Sequence, residues 1–307
     1  MASKILVVGS LNMDLVAFAP RIPVAGETLT GRSFHTLPGG KGANQAFAAA
    51  RLGARVAMLG RVGDDDFGRA LRENLRGAGC DVSGVLRTED ASTGIALIVV
   101  SDAAQNSIVI VAGANGMLAP GDVAASNAFG DAGCVLLQLE SPLETVIAAA
   151  QAARGAGARV ILDPAPAPAA ALPAELLANV DILTPNETEA AILAGLPPRR
   201  IRPDEAFEIA TRLRASGPAT VIVKLGEQGV ALSTAERREV LAAPRVEAVD
   251  TTAAGDVFNA GLAVALSEGA DLVAACGFAN RAAAISVTRK GAQASAPSRA
   301  EVEGVGR

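Results

Sequence analysis

Histidine occurs only once in the 307 residues, at His35, so a transition-metal site built on imidazole is not expected. Cysteine is scarce as well. Cys80, Cys134 and Cys276 are scattered without paired spacing, which reads as buried or inert thiols in a reducing cytoplasm, not as a disulfide frame or a metal cluster. No window of about 20 residues is uninterrupted and apolar, so no membrane span or membrane partner is expected. Half of the chain is nevertheless hydrophobic. Much of that half is alanine, which favours helix and close packing over lipid contact. The start, "MASKILVVGS", is expected to be a strand and not a signal peptide, because its apolar run is short and ends at Gly9-Ser10. An excess of basic charge is missing: 27 Lys and Arg face 32 Asp and Glu, a net charge of −5, which argues against general nucleic-acid binding. A repeat of fixed period is missing too. The length can bury a large core, as one α/β domain or a domain with an appendage.

Short β-branched runs alternate with helical patterns. "KILVV", "RVAML", "CVLLQL", "RVILD", "DILT" and "TVIVKL" read as strands; "NQAFAAARLG", "DFGRALRENLRGAG", "PLETVIAAAQAARGAG" and "NETEAAILAG" read as helices, several closed by glycine. Strand then helix, repeated, predicts an α/β three-layer sandwich with a mostly parallel central sheet. Two segments break the rhythm. Residues 13–37 and 93–112 carry successive strands without helices, the second as a hairpin around "SDAAQNS". A small antiparallel sheet attached as a lid accounts for both, leaving 1–12, 38–92 and 113–307 as the main domain. "ILDPAPAPAAALP" reads as a strand end followed by an irregular connection, not a linker.

Two glycine-rich turns carry chemistry. In "DTTAAGDVFNAG" (250–261), Phe258, Leu262, Ala265 and Leu266 recur at helical spacing, so a helix starts near Ala254 or Gly255 with Asp256 in its first turn. The helix dipole alone favours an acid there. The bulk-free "AAG" before it lets the N–H groups of Ala253, Ala254, Gly255 and Asp256 face an anion. A carboxylate beside such a nest can take the proton of an attacking hydroxyl while the N–H groups stabilise a transferred phosphoryl group. In "PGGKGANQA" (38–46), Lys41 is followed by Gly42 and not by Ser or Thr, so this is not a P-loop. "VVGSLNMD" has a single glycine and is not a dinucleotide fingerprint. What is left is a close backbone approach to a ligand, with Asn44 opening a helix.

"GSLNMD" (9–14), "GGKGANQA" (39–46), "STGIALI" (92–98), "LQLESPLE" (137–144), "DPAPA" (163–167), "TPNETEA" (184–190), "DTTAAGDVFNAG" and "VTRKGAQAS" (287–295) follow the order and approximate spacing of the ribokinase family of carbohydrate kinases. The sequence resembles that family nearly end to end. The resemblance implies ATP-dependent phosphorylation of D-ribose at O5. Asp14 would accept sugar hydroxyls; Asn12, Gly40, Lys41, Gly42, Asn44 and Glu140 would complete the sugar pocket; Asp256 would be the base and residues 253–256 the anion hole. Asn186 would meet the nucleotide phosphates and Glu189 would act on Mg²⁺ through water; read alone, the two are an ordinary capping box. The segment Lys224, Leu225, Gly226, Glu227, Gln228 and Gly229 would contact the nucleotide, with Asn280 near the adenine where the family often has histidine. Asp250, Thr252, Ser286, Arg289, Gly291 and Ser295 match the ring around a monovalent cation, K⁺, held mostly by backbone carbonyls.

The apolar lid strands "IALIVV" and "SIVIVAG" would leave an exposed face, which the family commonly covers by pairing two lids in a homodimer. Met13, in the sugar-contacting segment, stands where many family members have a smaller residue and keeps related substrates in view: 2-deoxyribose, fructose or a nucleoside. A non-catalytic sugar-binding regulator on the same scaffold is the rival of another class, and such a binder needs no base at Asp256.

Overall fold

Ile5 and Val7 turn to one side of the first strand, Leu6 and Val8 to the other, and all four are buried. A strand buried on both faces belongs inside a covered sheet. The computed structural model, which describes residues 2–103 and 105–304, has that sheet at its centre. The strands are β1 (Lys4–Val8), β2 (Asn12–Ala19), β3 (Ser33–Gly39), β4 (Val56–Gly63), β5 (Val85–Thr88), β6 (Gly94–Ser101), β7 (Asn106–Val111), β8 (Ala132–Leu137), β9 (Arg159–Leu162), β10 (Ile182–Leu183), β11 (Thr220–Lys224), β12 (Val230–Ser233) and β13 (Arg238–Leu241). The main sheet runs β13-β12-β11-β10-β9-β8-β1-β4-β5. From β11 through β5 every pairing is parallel; β12 and β13 add an antiparallel edge.

Helices α1 (Lys41–Arg51), α2 (Asp66–Gly77), α3 (Pro120–Ala125), α4 (Leu143–Gly155), α5 (Ala174–Leu177), α6 (Glu187–Leu193), α7 (Pro203–Ala215), α8 (Ala254–Ser267), α9 (Leu272–Ser286) and α10 (Arg299–Gly304) complete the layers. One core joins Ile5, Val7 and Met58 to α1, α2, α8 and α9; the other joins Leu6, Val8 and Leu162 to α4, α5, α6 and α7. The three-layer sandwich expected from the alternating pattern is therefore present. Helix ends follow local chemistry. Asp65 accepts from Gly68 N and Asp271 from Ala274 N, each at 2.8 Å, capping α2 and α9. One boundary differs from the sequence reading: α1 opens at Lys41, not at Asn44. Gly40, at φ 89°, turns the chain directly from β3 into the helix, and Lys41 and Gly42 carry no apolar periodicity to announce its first turn.

The second sheet runs β3-β2-β6-β7. Its outer pairs, β2–β3 and β6–β7, are antiparallel, whereas the central pair β2–β6 is parallel. Asn12 and Gly94 are register partners, so the two segments enter the sheet side by side and run in one direction. The expected hairpin is formed by β6 and β7; residue 104 in its turn lies outside the described residues. Among the described residues no helix is long and apolar enough to cross a membrane. The three cysteines are free and buried, and burial pushes each thiol up to about 12.

Candidate active site

Ser10, Glu140, Asp163, Asn186 and Lys224 stand at or just past the carboxyl ends of β1, β8, β9, β10 and β11. Ligand sites of parallel α/β sheets form at that edge, because loops leaving adjacent strands open a crevice there. Helices α1 and α8 bring their first turns, with Lys41 and Asp256, to the same place: Asp256 and Asp163 both act electrostatically on Lys41.

Asp256 is 5 % exposed and sits in the first turn of α8. Its Oδ2 accepts from Asn44 Nδ2 at 3.1 Å and its Oδ1 from Gln45 Nε2 at 3.0 Å. Burial pushes its carboxyl up to about 6 against the opposing pull of Lys41 and the two amides, with Asp163 adding to the rise. Ala253, ahead of the helix, adopts φ 58° and ψ 12° and offers no side-chain cap. Ala254 N donates to Thr251 O at 3.3 Å. The N–H groups of Gly255 and Asp256 have no acceptor within the helix, the usual state of a first turn, and are directed at its open end.

On the sugar side of the sequence reading, Asp14 of β2 lies over Gly39. A Cβ at Gly39 would fall 2.3 Å from an Asp14 carboxylate oxygen, so only glycine leaves room for the acid. Burial pushes Asp14 up to about 7, with Glu140 and Asp256 adding to the rise. Glu140 Oε2 accepts from Ser10 Oγ at 2.5 Å and from Lys41 N at 3.1 Å, which ties β8 to the start of α1. It is thus an engaged group and not a solvated strand end. Asn12 Oδ1 accepts from Asn115 Nδ2 at 2.8 Å, and Gly42 N donates to Ser10 Oγ at 3.4 Å. For Lys41 burial alone would lower the ammonium pKa, but Asp256, Asp163, Glu140 and Glu189 together outweigh it and raise it.

On the nucleotide side, Asn186 and Glu189 form the capping box: Glu189 N donates to Asn186 Oδ1 and Asn186 N to Glu189 Oε2, both at 2.8 Å. Burial raises the Glu189 carboxyl, opposed by Lys224. Lys224 Nζ donates to Asp163 Oδ1 at 3.0 Å, their side chains 12 % and 3 % exposed, and lies against Gly255: a Cβ there would be 3.2 Å from it. Leu225 to Gly229 form the turn between β11 and β12, closed by Leu225 N donating to Gly229 O at 2.8 Å; Glu227 and Gln228 are exposed on it. The carbonyl of Leu241 meets both this turn, at Gly229, and Asn280 Nδ2, which donates to it at 2.9 Å. Asn280 is buried and spends its amide N–H on that carbonyl and on Ala242 O.

The two segments matched to a monovalent cation are joined. Asp250 Oδ2 accepts from Gly291 N at 2.8 Å, and Oδ1 accepts from Thr252 N at 2.9 Å and Thr252 Oγ1 at 2.6 Å. Burial would raise the Asp250 carboxyl, but these bonds and Lys290 outweigh it and hold it low. Ser286 and Ser295 donate their hydroxyls to Ala283 O and Ala292 O, and the Arg289 guanidinium donates to Glu301. Among the described residues no three His, Cys, Asp or Glu side chains are grouped to cage a metal.

The sequence profile of the pfkB family carbohydrate kinases matches residues 2–299. The chain belongs to that family. Relatives of this pfkB-family chain include the ribokinase of Haemophilus influenzae, 43 % identical over 98 % of this chain and 97 % of that protein. The deoxyribokinase of Salmonella typhimurium is 39 % identical over 96 % of this chain and 95 % of that protein. The structure of Arabidopsis thaliana ribokinase complexed with ribose and ATP superimposes with a TM-score of 0.90 at 38 % identity, covering 99 % of this chain and 98 % of that one.

Several residues woven into this kinase's site carry little sequence signal. Asp163 follows "VIL" as Glu140 follows "LLQL", and that shared position after a buried strand was the available clue. Gln45, Gln138 and Gln293 are uncharged and lie in motifs whose weight falls on neighbours.

Proposed function

We propose that the protein transfers the γ-phosphoryl group of ATP to O5 of D-ribose, giving ribose 5-phosphate and ADP. The observation that carries this reading is Asp256, a buried carboxylate at the open N-terminus of a helix, with an acidic, amide-rich pocket on one side and Lys224 on the other. Asp256 takes the proton from the O5 hydroxyl as O5 bonds to the γ-phosphorus, and the bond to the bridging oxygen breaks with its electron pair leaving on ADP. The N–H groups of Gly255 and Asp256, with Ala253 and Ala254 shaping the turn, stabilise the charge on the equatorial oxygens. Asp14 receives the ribose 2- and 3-hydroxyls; Asn12, Gly40, Lys41, Gly42, Asn44 and Glu140 shape the rest of the sugar pocket. Asn186, the turn from Lys224 to Gly229, and Asn280 receive the nucleotide.

Oxygen-rich, uncaged surroundings suit a Mg²⁺ that keeps most of its water and is held largely by phosphates. Glu189 would meet it through water, and when bound the ion neutralises phosphate charge. The joined loops of Asp250, Thr252, Ser286, Arg289, Gly291 and Ser295 suit K⁺ by the chemistry of their carbonyls.

The four-stranded sheet, residues 13–37 and 93–112, serves as a discontinuous lid on a main domain of 1–12, 38–92 and 113–307. Asp14 shares its register row with Leu37, Ala96 and Ile110, and the next row of that face holds Val16, Ile98 and Ile108. Cross-strand partners lie on one face. Ile108, Ile110 and Leu37 are exposed on it. Pairing with the lid of a second copy would bury this face and close the sugar pocket together. Three free buried cysteines suit a reducing cytoplasm.

The second reading, a 2-deoxyribose kinase, is favoured by the 39 % identity to a deoxyribokinase. A panel of ribose, 2-deoxyribose, fructose and nucleosides with ATP separates the two. Losing one hydrogen bond to a charged carboxylate costs about 1.5–3 kcal/mol. As about 1.4 kcal/mol is tenfold, 2-deoxyribose should be at least tenfold poorer in kcat/KM. Equal use of both sugars would replace ribose with 2-deoxyribose in the assignment.

A further inference from the structure

Two side-chain amides hold Asp256, and each is itself held from behind by another amide. Asn44 Nδ2 donates to Oδ2 of Asp256, and Gln45 Nε2 donates to its Oδ1 and also to Asp163 Oδ2 at 3.2 Å. Behind them, Asn44 Oδ1 accepts from Gln293 Nε2 at 3.2 Å, and Gln45 Oε1 accepts from Gln138 Nε2 at 2.7 Å. Gln293 is oriented in turn, its Oε1 accepting from Asn74 Nδ2 of α2 at 2.5 Å. Asn44, Gln45, Gln138 and Gln293 are all buried.

An amide carries an acceptor at one tip and donors at the other, with nearly the same shape either way round. Solvent would let it turn; a buried site fixes it through its partners. With a donor already on its oxygen, turning Asn44 or Gln45 over would set N–H against N–H at one tip and oxygen against carboxylate at the other. Both contacts are costly where water cannot relieve them. We propose that Gln138 and Gln293 are positioning residues for phosphoryl transfer: by donating to the oxygens of Gln45 and Asn44, they hold both amide N–H groups on the Asp256 carboxylate. Neither hydrogen-bonds Asp256 itself. Gln293 lies between Gly291 and Ser295, so one arm of the cradle starts in the loop assigned above to K⁺ and reaches the base through uncharged groups only.

The catalytic meaning rests on Asp256 being the base; the cradle itself does not. Asp256 faces Lys41 of α1, Asp163 beyond β9 and Asp14 of β2. Lys41 favours its charged form and the two amides add to that support, while Lys224 of β11 lies against the neighbouring Gly255. Releasing either amide to turn makes the carboxylate harder to form.

Gln138→Met and Gln293→Met keep approximate shape and neutrality but cannot donate. The probe is the titration of the Asp256 carboxyl by ¹³C NMR in protein labelled at aspartate, with the signal assigned by its loss in Asp256→Asn; no substrate is needed. Each variant should raise the Asp256 midpoint by about one pH unit, a tenfold change in proton affinity. Asp122 of α3, which is paired with Arg61 of β4, should titrate as in wild type. In turnover the acid limb should move with the midpoint, whereas a merely structural defect would lower the rate equally at every pH. An Asp256 midpoint unchanged in both variants overturns the proposal. A shift in one alone overturns it for the other residue. Wild-type protein that phosphorylates no sugar would defeat the functional reading while the titration still decides the cradle.

Discussion

Asp14 and Asp256 are carboxylates of one pocket, the first half-buried and the second buried, and Asp256 acts electrostatically on Asp14. Burial raises both, to about 7 and about 6, and each role assigned to them needs the charged form. The sign follows: activity is complete above the higher value and falls as pH drops and protons return. For ribose, kcat/KM should be flat above about pH 7, fall with unit slope to about 6, and fall with a slope of two below that. A pH series of initial rates checks this, and a profile flat through pH 6 contradicts it. At this scale the sequence was readable where charge or missing bulk marked a residue. Asp256 stood out behind "AAG"; the Gly39-Gly40 turn read as a close approach to a ligand, and the structure shows the Asp14 side chain over Gly39. The amides that orient Asp256 were not readable. Gln45 sits inside a helix, and Gln138 and Gln293 become meaningful only when three distant segments meet.

At the scale of elements, the long helices such as α4 could be read from period and the buried strands such as β8 from short apolar runs between them. The short strands β5, β12 and β13 towards the two ends of the sheet could not: each adjoins another strand in the chain, outside the regular strand–helix alternation, and four residues alone hold too few alternations to distinguish them from loop. The parallel pairing of β2 with β6 was equally hidden, since it depends on where two separated segments leave the main sheet. The joined segments around Asp250 and Gly291 lead straight into Ala253 and the first turn of α8. A cation held by their carbonyls would order that turn. Exchanging K⁺ for Na⁺ at equal ionic strength, with Mg²⁺ present throughout, should therefore lower kcat, and equal rates in stripped enzyme would remove the site from the account.

For the whole molecule, the four-stranded sheet, as the proposed lid, would pair two copies and cover the sugar pocket. Charges placed on its apolar face should separate a dimer while leaving the main core intact. Ile108→Lys combined with Ile110→Lys should sediment as a monomer where wild type sediments as a dimer, and should raise the KM for ribose because the pocket loses its cover. A wild-type monomer with full activity would show that the lid works alone. The central claim is that Asp256 is the base that activates a ribose hydroxyl toward ATP, and a single substitution addresses it. Asp256→Asn keeps the size and hydrogen-bonding capacity of the side chain but cannot take a proton. Formation of ribose 5-phosphate from ribose and ATP, followed by ³¹P NMR in wild type and in Asp256→Asn with nucleotide binding measured in both, should show turnover lowered by about 10²–10⁴-fold with ATP affinity retained. Near-full turnover in the variant would make Asp256 no more than an acid at a helix terminus and would contradict the mechanism.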